Sequence, residues 1–198
     1  MSNLPLKKPL GIYMQNVITR KIQLNINEIG GNIKYNIEKK LQTNLEGKCT
    51  IEGFIKPDSI SLHTYSSGLI SGSNVIFDVV FACLVCRPVQ GMKISRCIVK
   101  NNTKAGIRAE TKEKVSPVVI FISRDHHHRD QYFNELKEGD DISVKVIGQR
   151  FELNDKFVSV IGELIKPRKQ PIKRGKIRIL DKLHKQHLGE EKVSEEIV

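Results

Sequence analysis

The sequence predicts an α+β half ordered β-α-β-β-β, followed by an all-β half of five short strands that close into a small barrel. Three observations carry this. Residues 33–45 place apolar side chains at helical spacing between two β-rich stretches. Residues 74–86, "NVIFDVVFACLVC", form one long β-branched and aromatic run. After Pro88, five strand-like segments separated by turn signals fall within residues 91–165.

The elements follow in order. Residues 12–27, "IYMQNVITRKIQLNIN", alternate loosely, with Ile22, Leu24 and Ile26 on one face of a strand. Gly30-Gly31 breaks the pattern. Ile33, Ile37, Leu41 and Leu45 then form one apolar stripe, with Asn32 placed to cap the helix and Gly47 just past its end. "KCTIEGFI" and "SISLHTY" read as short strands around the turn signal Pro57-Asp58. "SSGLISGS" (Ser66–Ser73) reads as a small glycine-rich loop before the long strand, which Arg87-Pro88 ends. In the second half the strands are "GMKISRCIVKNN", "AGIRAETK", "VVIFIS", "ISVKVIGQRF" and "FVSVIGEL". "RDHHHRDQYFNELKEGD" connects the third to the fourth as a loop with a helical turn. The expected organisation is an arm at 1–11, an α+β domain at 12–87, the barrel at 88–165 and a flexible basic tail at 166–198, where Ile177, Leu180, Leu183 and Leu188 have the spacing of a short helix.

Composition narrows the function. The 198 residues carry a net charge of +11, and 39% are hydrophobic, enough for real cores. Residues 166–188 hold +8 and the last ten hold −3, leaving +6 for the body. A cationic body and tail favour polyanionic partners, above all nucleic acid. No apolar run approaches the ~20 residues of a membrane span, and no apolar segment follows the N-terminal lysines. The expected compartment is therefore intracellular, with no membrane partner.

Two patterns invite chemistry. Cys83-x-x-Cys86 has the spacing of half a metal site, with Cys97 or His126–His128 as further ligands. On a strand, however, residues three apart face opposite ways, so the four cysteines, Cys49 included, read as reduced, buried or half-buried thiols. Three consecutive histidines cannot converge on one centre. With Asp125 and Asp130 nearby as hydrogen-bond partners, they read as a polar loop touching solvent, phosphate or a partner. No nucleophile–base–orienter set and no phosphate-binding loop is present. Catalysis by this chain alone, a metal and a cofactor are not expected.

The second half resembles a known domain. Gly91, then Gly106-Ile107-Arg108-Ala109, Phe121-Ile122-Ser123-Arg124, Glu138-Gly139-Asp140 and Val144-x-Val146-x-Gly148, is similar to the OB-fold RNA-binding repeat of ribosomal protein S-one. Together with "EGKCTIEGFI" and "SSGLISGSNVIFDVVFACLVCRPVQG", residues 12–165 resemble the stalk subunit of multisubunit DNA-directed RNA polymerases, the family of eukaryotic polymerase II subunit seven and its archaeal counterpart. The Asn-, Ile- and Lys-rich usage suggests a large DNA virus version. The resemblance implies that residues 12–87 are a tip domain that docks near the polymerase clamp and that the OB domain faces nascent single-stranded RNA. It also implies a second stalk subunit as usual partner. The location would be host cytoplasm and virion for a viral protein, otherwise the nucleus. The docking loop is expected at Ser67, Gly68, Leu69, Ile70, Ser71 and Gly72, with Ile70 exposed.

In this domain type the place of Arg108 is often a stacking aromatic, and the place of Phe121 is often a histidine. Arg108 can itself stack on a base or pair with phosphate. Gly106 is expected to leave room there for an RNA backbone. Lys93, Lys100, Lys104, Arg124 and Lys145 are the expected phosphate contacts, with Arg108 and Phe121 at the centre. Two other readings use the same residues: a free-standing OB-fold RNA-binding factor in translation or RNA decay, and a zinc-dependent enzyme built on Cys83, Cys86 and the histidines.

Overall fold

A long antiparallel ribbon organises the first half. In the computed structural model, which describes residues 11–127 and 129–166, β1 (Tyr13–Asn25) and β6 (Asn74–Cys86) pair over their whole length without a register shift. The other edge of β6 is taken in turn by β3 (Gly53–Ile55), β4 (Ser61–Tyr65) and β5 (Leu69–Ser71). Strand β2 (Cys49–Thr50) hydrogen-bonds to β3 at the sheet edge. Helix α1 (Ile33–Leu45) covers one face, burying Ile37 and Leu41 against Ile18, Ile22, Leu24, Phe77 and Phe81. Burying each such side chain is worth roughly 1.5–3 kcal/mol. The helix-spaced stripe forms because only one side of α1 meets the sheet.

The first half departs from β-α-β-β-β in several places. "KCTIEGFI" is not one strand: Ile51 and Glu52 turn it into the β2–β3 hairpin. Within Ser66–Ser73, residues Leu69–Ser71 form β5, because Gly72 at φ +61° closes a tight hairpin onto β6. Ile26 leaves the β1 face, since Ile26–Glu28 form a single 3₁₀ turn. Asn25 and Glu28 cap that turn reciprocally, whereas the Asn32 side chain makes no cap bond to α1.

The second half is a closed five-stranded barrel, ordered β10-β11-β9-β8-β7. Its strands are β7 (Lys93–Asn102), β8 (Gly106–Thr111), β9 (Val118–Ser123), β10 (Asp141–Arg150) and β11 (Val158–Ile165). Four of the pairings are antiparallel, but β11 and β9 close the barrel in parallel. Helix α2 (Gln131–Glu135) lies between β9 and β10 and buries Phe133. Asp130 caps it by accepting from Tyr132 N–H.

The barrel core does not stop at the barrel. Tyr13, Cys49, Phe54 and Cys86 from the first half pack in the same cluster as Val99, Ile107, Ile120 and Val144. Main-chain bonds reinforce this joint: Cys49 N–H donates to Asp155 O and Asn154 N–H to Cys49 O. Tyr13 Oη donates to Glu113 Oε2 at 2.9 Å, and Lys56 Nζ lies 4.8 Å from the Tyr13 ring centre. Burial, followed by the Glu113 bond, pushes the Tyr13 hydroxyl pKa well up.

Cys83 belongs to the α1-side core and Cys86 to the barrel-side core, as the strand parity requires. All four cysteines are free and buried. Burial first, with nearby carboxylates second for Cys49, Cys83 and Cys97, pushes Cys49 and Cys83 up to about 11 and Cys97 up to about 12. Cys86 rises to about 12 through burial, then Glu113 and Cys49. Residues 1–10 of the expected arm and the tail after Lys166, including its helix candidate, lie outside the described residues, as does His128.

Candidate nucleic-acid interface

Strand alternation lines four side chains across the outside of the barrel. Asn101 on β7 is the register partner of Arg108 on β8; Arg108 is that of Phe121 on β9, and Phe121 that of Ile161 on β11. Together with Thr103, Ala105, Gly106, Ile107, Ile122 and Ser123 they line an open groove of about 470 Å³. Phe121 is 46% exposed and Ile161 54%, so an aromatic ring and an aliphatic side chain both face solvent on neighbouring strands. Such a floor offers a flat apolar face of base size next to a planar cation.

Arg108 is exposed and lines the groove, so the guanidinium is not packed inside. Its Nη2 is 3.1 Å from Glu110 Oε1, two residues along the same strand face. Gly106 has a different reason from the expected one. A Cβ there would sit 2.2 Å from Ile122 O, and the residue adopts φ +152°. The glycine lets β8 press against β9, so the barrel wall itself requires it.

The expected phosphate contacts are spread unevenly. Lys93 and Lys145 are exposed register partners on β7 and β10, so two ammonium groups share one patch. Glu163, the other register partner of Lys145, flanks them two residues beyond Ile161 on β11. Like charges directly opposite repel unless an anion joins them. Lys100 is exposed at the bulge between Val99 and Asn101, and Lys104 is exposed in the β7–β8 turn. Arg124 is directed elsewhere, into four hydrogen bonds with its own chain.

The histidine run also differs from a solvated loop. His126 is exposed, but His127 is only 7% exposed. Its Nδ1 is 2.9 Å from Ser123 O, and its Nε2 accepts from Leu164 N–H at 3.2 Å. That pairing fits a neutral ring with the proton on Nδ1. His127 also stacks on Phe133, with centroids 5.2 Å apart and planes at 13°. Among the described residues no group of three or more His, Cys, Asp or Glu is arranged to hold a metal.

Ile161 and Asn101 were not among the expected site residues. Ile161 had a signal: in "FVSVIGEL", Val158, Val160 and Leu164 share the inward parity, which leaves Ile161 as the apolar residue pointing out. Asn101 had none, because the bulge at Val99/Asn101 resets the parity of β7.

Comparison with known proteins returns polymerase subunits. DNA-directed RNA polymerase II subunit 7 of Arabidopsis thaliana is 27% identical over a 178-residue alignment covering 77% of this chain and 98% of the relative. The chain is similar in sequence to RNA polymerase II subunit 7. Subunit RPB7 of RNA polymerase II from Glycine max is 26% identical with the same coverage of both chains. A candidate DNA-directed RNA polymerase subunit of Acanthamoeba polyphaga mimivirus is 27% identical over 171 residues, covering 78% of this chain and 82% of the relative. No family model matches the sequence.

Proposed function

We propose that this chain is a stalk subunit of a DNA-directed RNA polymerase, docking through its first half and guiding nascent single-stranded RNA along its barrel. Homology to polymerase subunits supports the polymerase role. The observation that carries the RNA reading is the Asn101–Arg108–Phe121–Ile161 row, where a solvent-facing ring and a guanidinium share one groove. Stacking on Phe121 is tolerant of base identity, as a guide for any transcript requires. Arg108, Lys93, Lys100, Lys104 and Lys145 supply the cationic surround. The division of labour runs at residues 12–87 for docking and 88–165 for RNA.

The first half supports docking through its exposed hairpin. Leu69 is 71% exposed and Ile70 72%, on a short strand with no cover among the described residues. Two large aliphatic side chains in water at a hairpin tip fit burial in a larger partner. The residues Ser67 to Gly72 therefore meet the polymerase core, and a second stalk subunit completes the assembly. The polymerisation chemistry belongs to other subunits. The mimivirus relative supports a viral origin, for which the location would be host cytoplasm and virion, and otherwise the nucleus. Affinity isolation of the tagged full chain tests the assembly: large polymerase subunits should copurify in stoichiometric amounts. A monodisperse chain that recovers none of them would instead favour a free-standing RNA-binding factor.

A further inference from the structure

Arg124 follows the groove-lining Ser123, yet its guanidinium is bonded to its own chain. Its Nε donates to Lys104 O at 3.0 Å, Nη1 to Asn134 Oδ1 at 3.0 Å, and Nη2 to Thr103 O at 3.0 Å and Asn102 Oδ1 at 3.2 Å. These bonds nearly exhaust the donors of a guanidinium. Its main-chain N–H donates to Ala105 O. Behind it, the guanidinium carbon lies 5.2 Å from the Phe133 ring centre, and Phe133 stacks on His127, which is itself bonded to Ser123 O and Leu164 N–H. The carbonyls that Arg124 gathers belong to the β7–β8 turn, which supplies Thr103, Ala105 and Gly106 to the groove wall.

We propose that Arg124 is a positioning residue for the RNA groove: it fixes the 103–106 turn against α2 and β11 through the Arg124–Phe133–His127 stack, and it does not ligate phosphate. This rests on the RNA-guiding reading of the barrel. The turn is closed on itself and joined to β9 at Gly106, but among the described residues the Arg124 side chain is what links its Thr103 and Lys104 carbonyls to α2. Its internal bonds are Thr103 N–H to Gly106 O, Gly106 N–H to Thr103 O and the Thr103 hydroxyl to Gly106 O. A single fork that collects two of its carbonyls and the neighbouring Asn102 amide sets where the wall stands. Asn102 extends the same tie, because its amide Nδ2 donates to Leu136 O beyond α2. A preformed wall spares RNA the ordering of that turn on binding.

The test compares Arg124→Lys and Arg124→Gln in the full chain, each confirmed folded by circular dichroism. Two readouts are taken: amide hydrogen exchange at Thr103–Gly106 without RNA, and oligouridylate affinity across salt concentrations. Positioning predicts that both variants lose protection at the turn and lose affinity about tenfold. It also predicts an unchanged log K against log salt slope, and no rescue by lysine, which keeps the charge but not the fork. Phe133→Leu should loosen the same turn. Turn protection kept in Arg124→Gln overturns the proposal. So does a slope reduced by about 0.7 in that variant and restored by lysine, which would mark a phosphate contact. Failure of the wild-type protein to bind the oligonucleotide would remove the RNA reading, while the exchange measurement would still decide what Arg124 holds.

Discussion

Replacing Gly106 by alanine separates two explanations of the glycine in "NNTKAGIRAE". The added methyl would lie 2.2 Å from Ile122 O, 3.1 Å from Ile122 C and 3.2 Å from Ser123 Cα, all main-chain atoms of β9 that cannot rotate aside. Strand separation of this kind costs about 1–3 kcal/mol, as overpacking does in cores. The backbone at φ +152° adds strain of about 1–3 kcal/mol for a residue with a Cβ. The expected destabilisation is therefore about 2–6 kcal/mol. Gly72→Ala is the internal control: φ is +61°, but nothing lies within 4 Å of the added Cβ, so about 1 kcal/mol is expected. The chain has no tryptophan, so urea unfolding is best followed by circular dichroism. With a slope of ~2 kcal/mol/M, the Gly106→Ala midpoint should fall by about 1–3 M. Equal midpoints for the two variants would refute the wall argument. A Gly106→Ala protein of wild-type stability with weakened RNA binding would show that the glycine serves the ligand.

Other outcomes follow from the same geometry. Phe121→Ala should cost about 1–3 kcal/mol of oligouridylate affinity with an unchanged salt slope, whereas Arg108→Ala should lower the slope by about 0.7; wild-type affinity and slope in both would remove the groove from RNA binding. Leu69→Asp and Ile70→Asp should leave the melting temperature nearly unchanged, since both side chains are already in water, but abolish copurification of polymerase subunits; retained copurification would move docking elsewhere. Alkali should unfold the protein early. The thiols are ordinary near pH 9 when unfolded and rise to about 11 or 12 in the fold, so their contribution is complete below pH 9 and disappears as pH climbs through 11 to 12. Tyr13 acts in the same direction. Melting temperatures measured from pH 8 to 11 should fall, and iodoacetamide should react slowly at pH 8; a flat profile with rapid alkylation would show the thiols are accessible.

Much of this architecture is legible in residue order because period and parity are local. The stripe Ile33, Ile37, Leu41, Leu45 needs only one covered face, and the five barrel strands announce themselves between polar turns. The parity of Cys83 and Cys86 likewise follows from strand geometry alone. What escapes is set by distant partners. The β5 strand forms because β6 offers it an edge, and the parallel closure of β9 on β11 joins segments far apart in the chain. His127 looks like one of three equivalent histidines until Leu164 supplies an N–H to its ring. The centre of the groove, Arg108 and Phe121, was visible from the resemblance. The engagement of Arg124 with its own chain was not, since the carbonyls it gathers come from a turn twenty residues earlier.

The unbroken pairing of β1 with β6 has a mechanical consequence. Strand β6 starts beside the exposed hairpin and ends at Cys86, inside the core that the barrel shares with Tyr13, Cys49 and Phe54. At ~3.3 Å per residue it measures out ~40 Å between those ends. It works as a ruler: whatever grips the hairpin lies one strand length from the core that the barrel shares, along a ribbon whose register never slips.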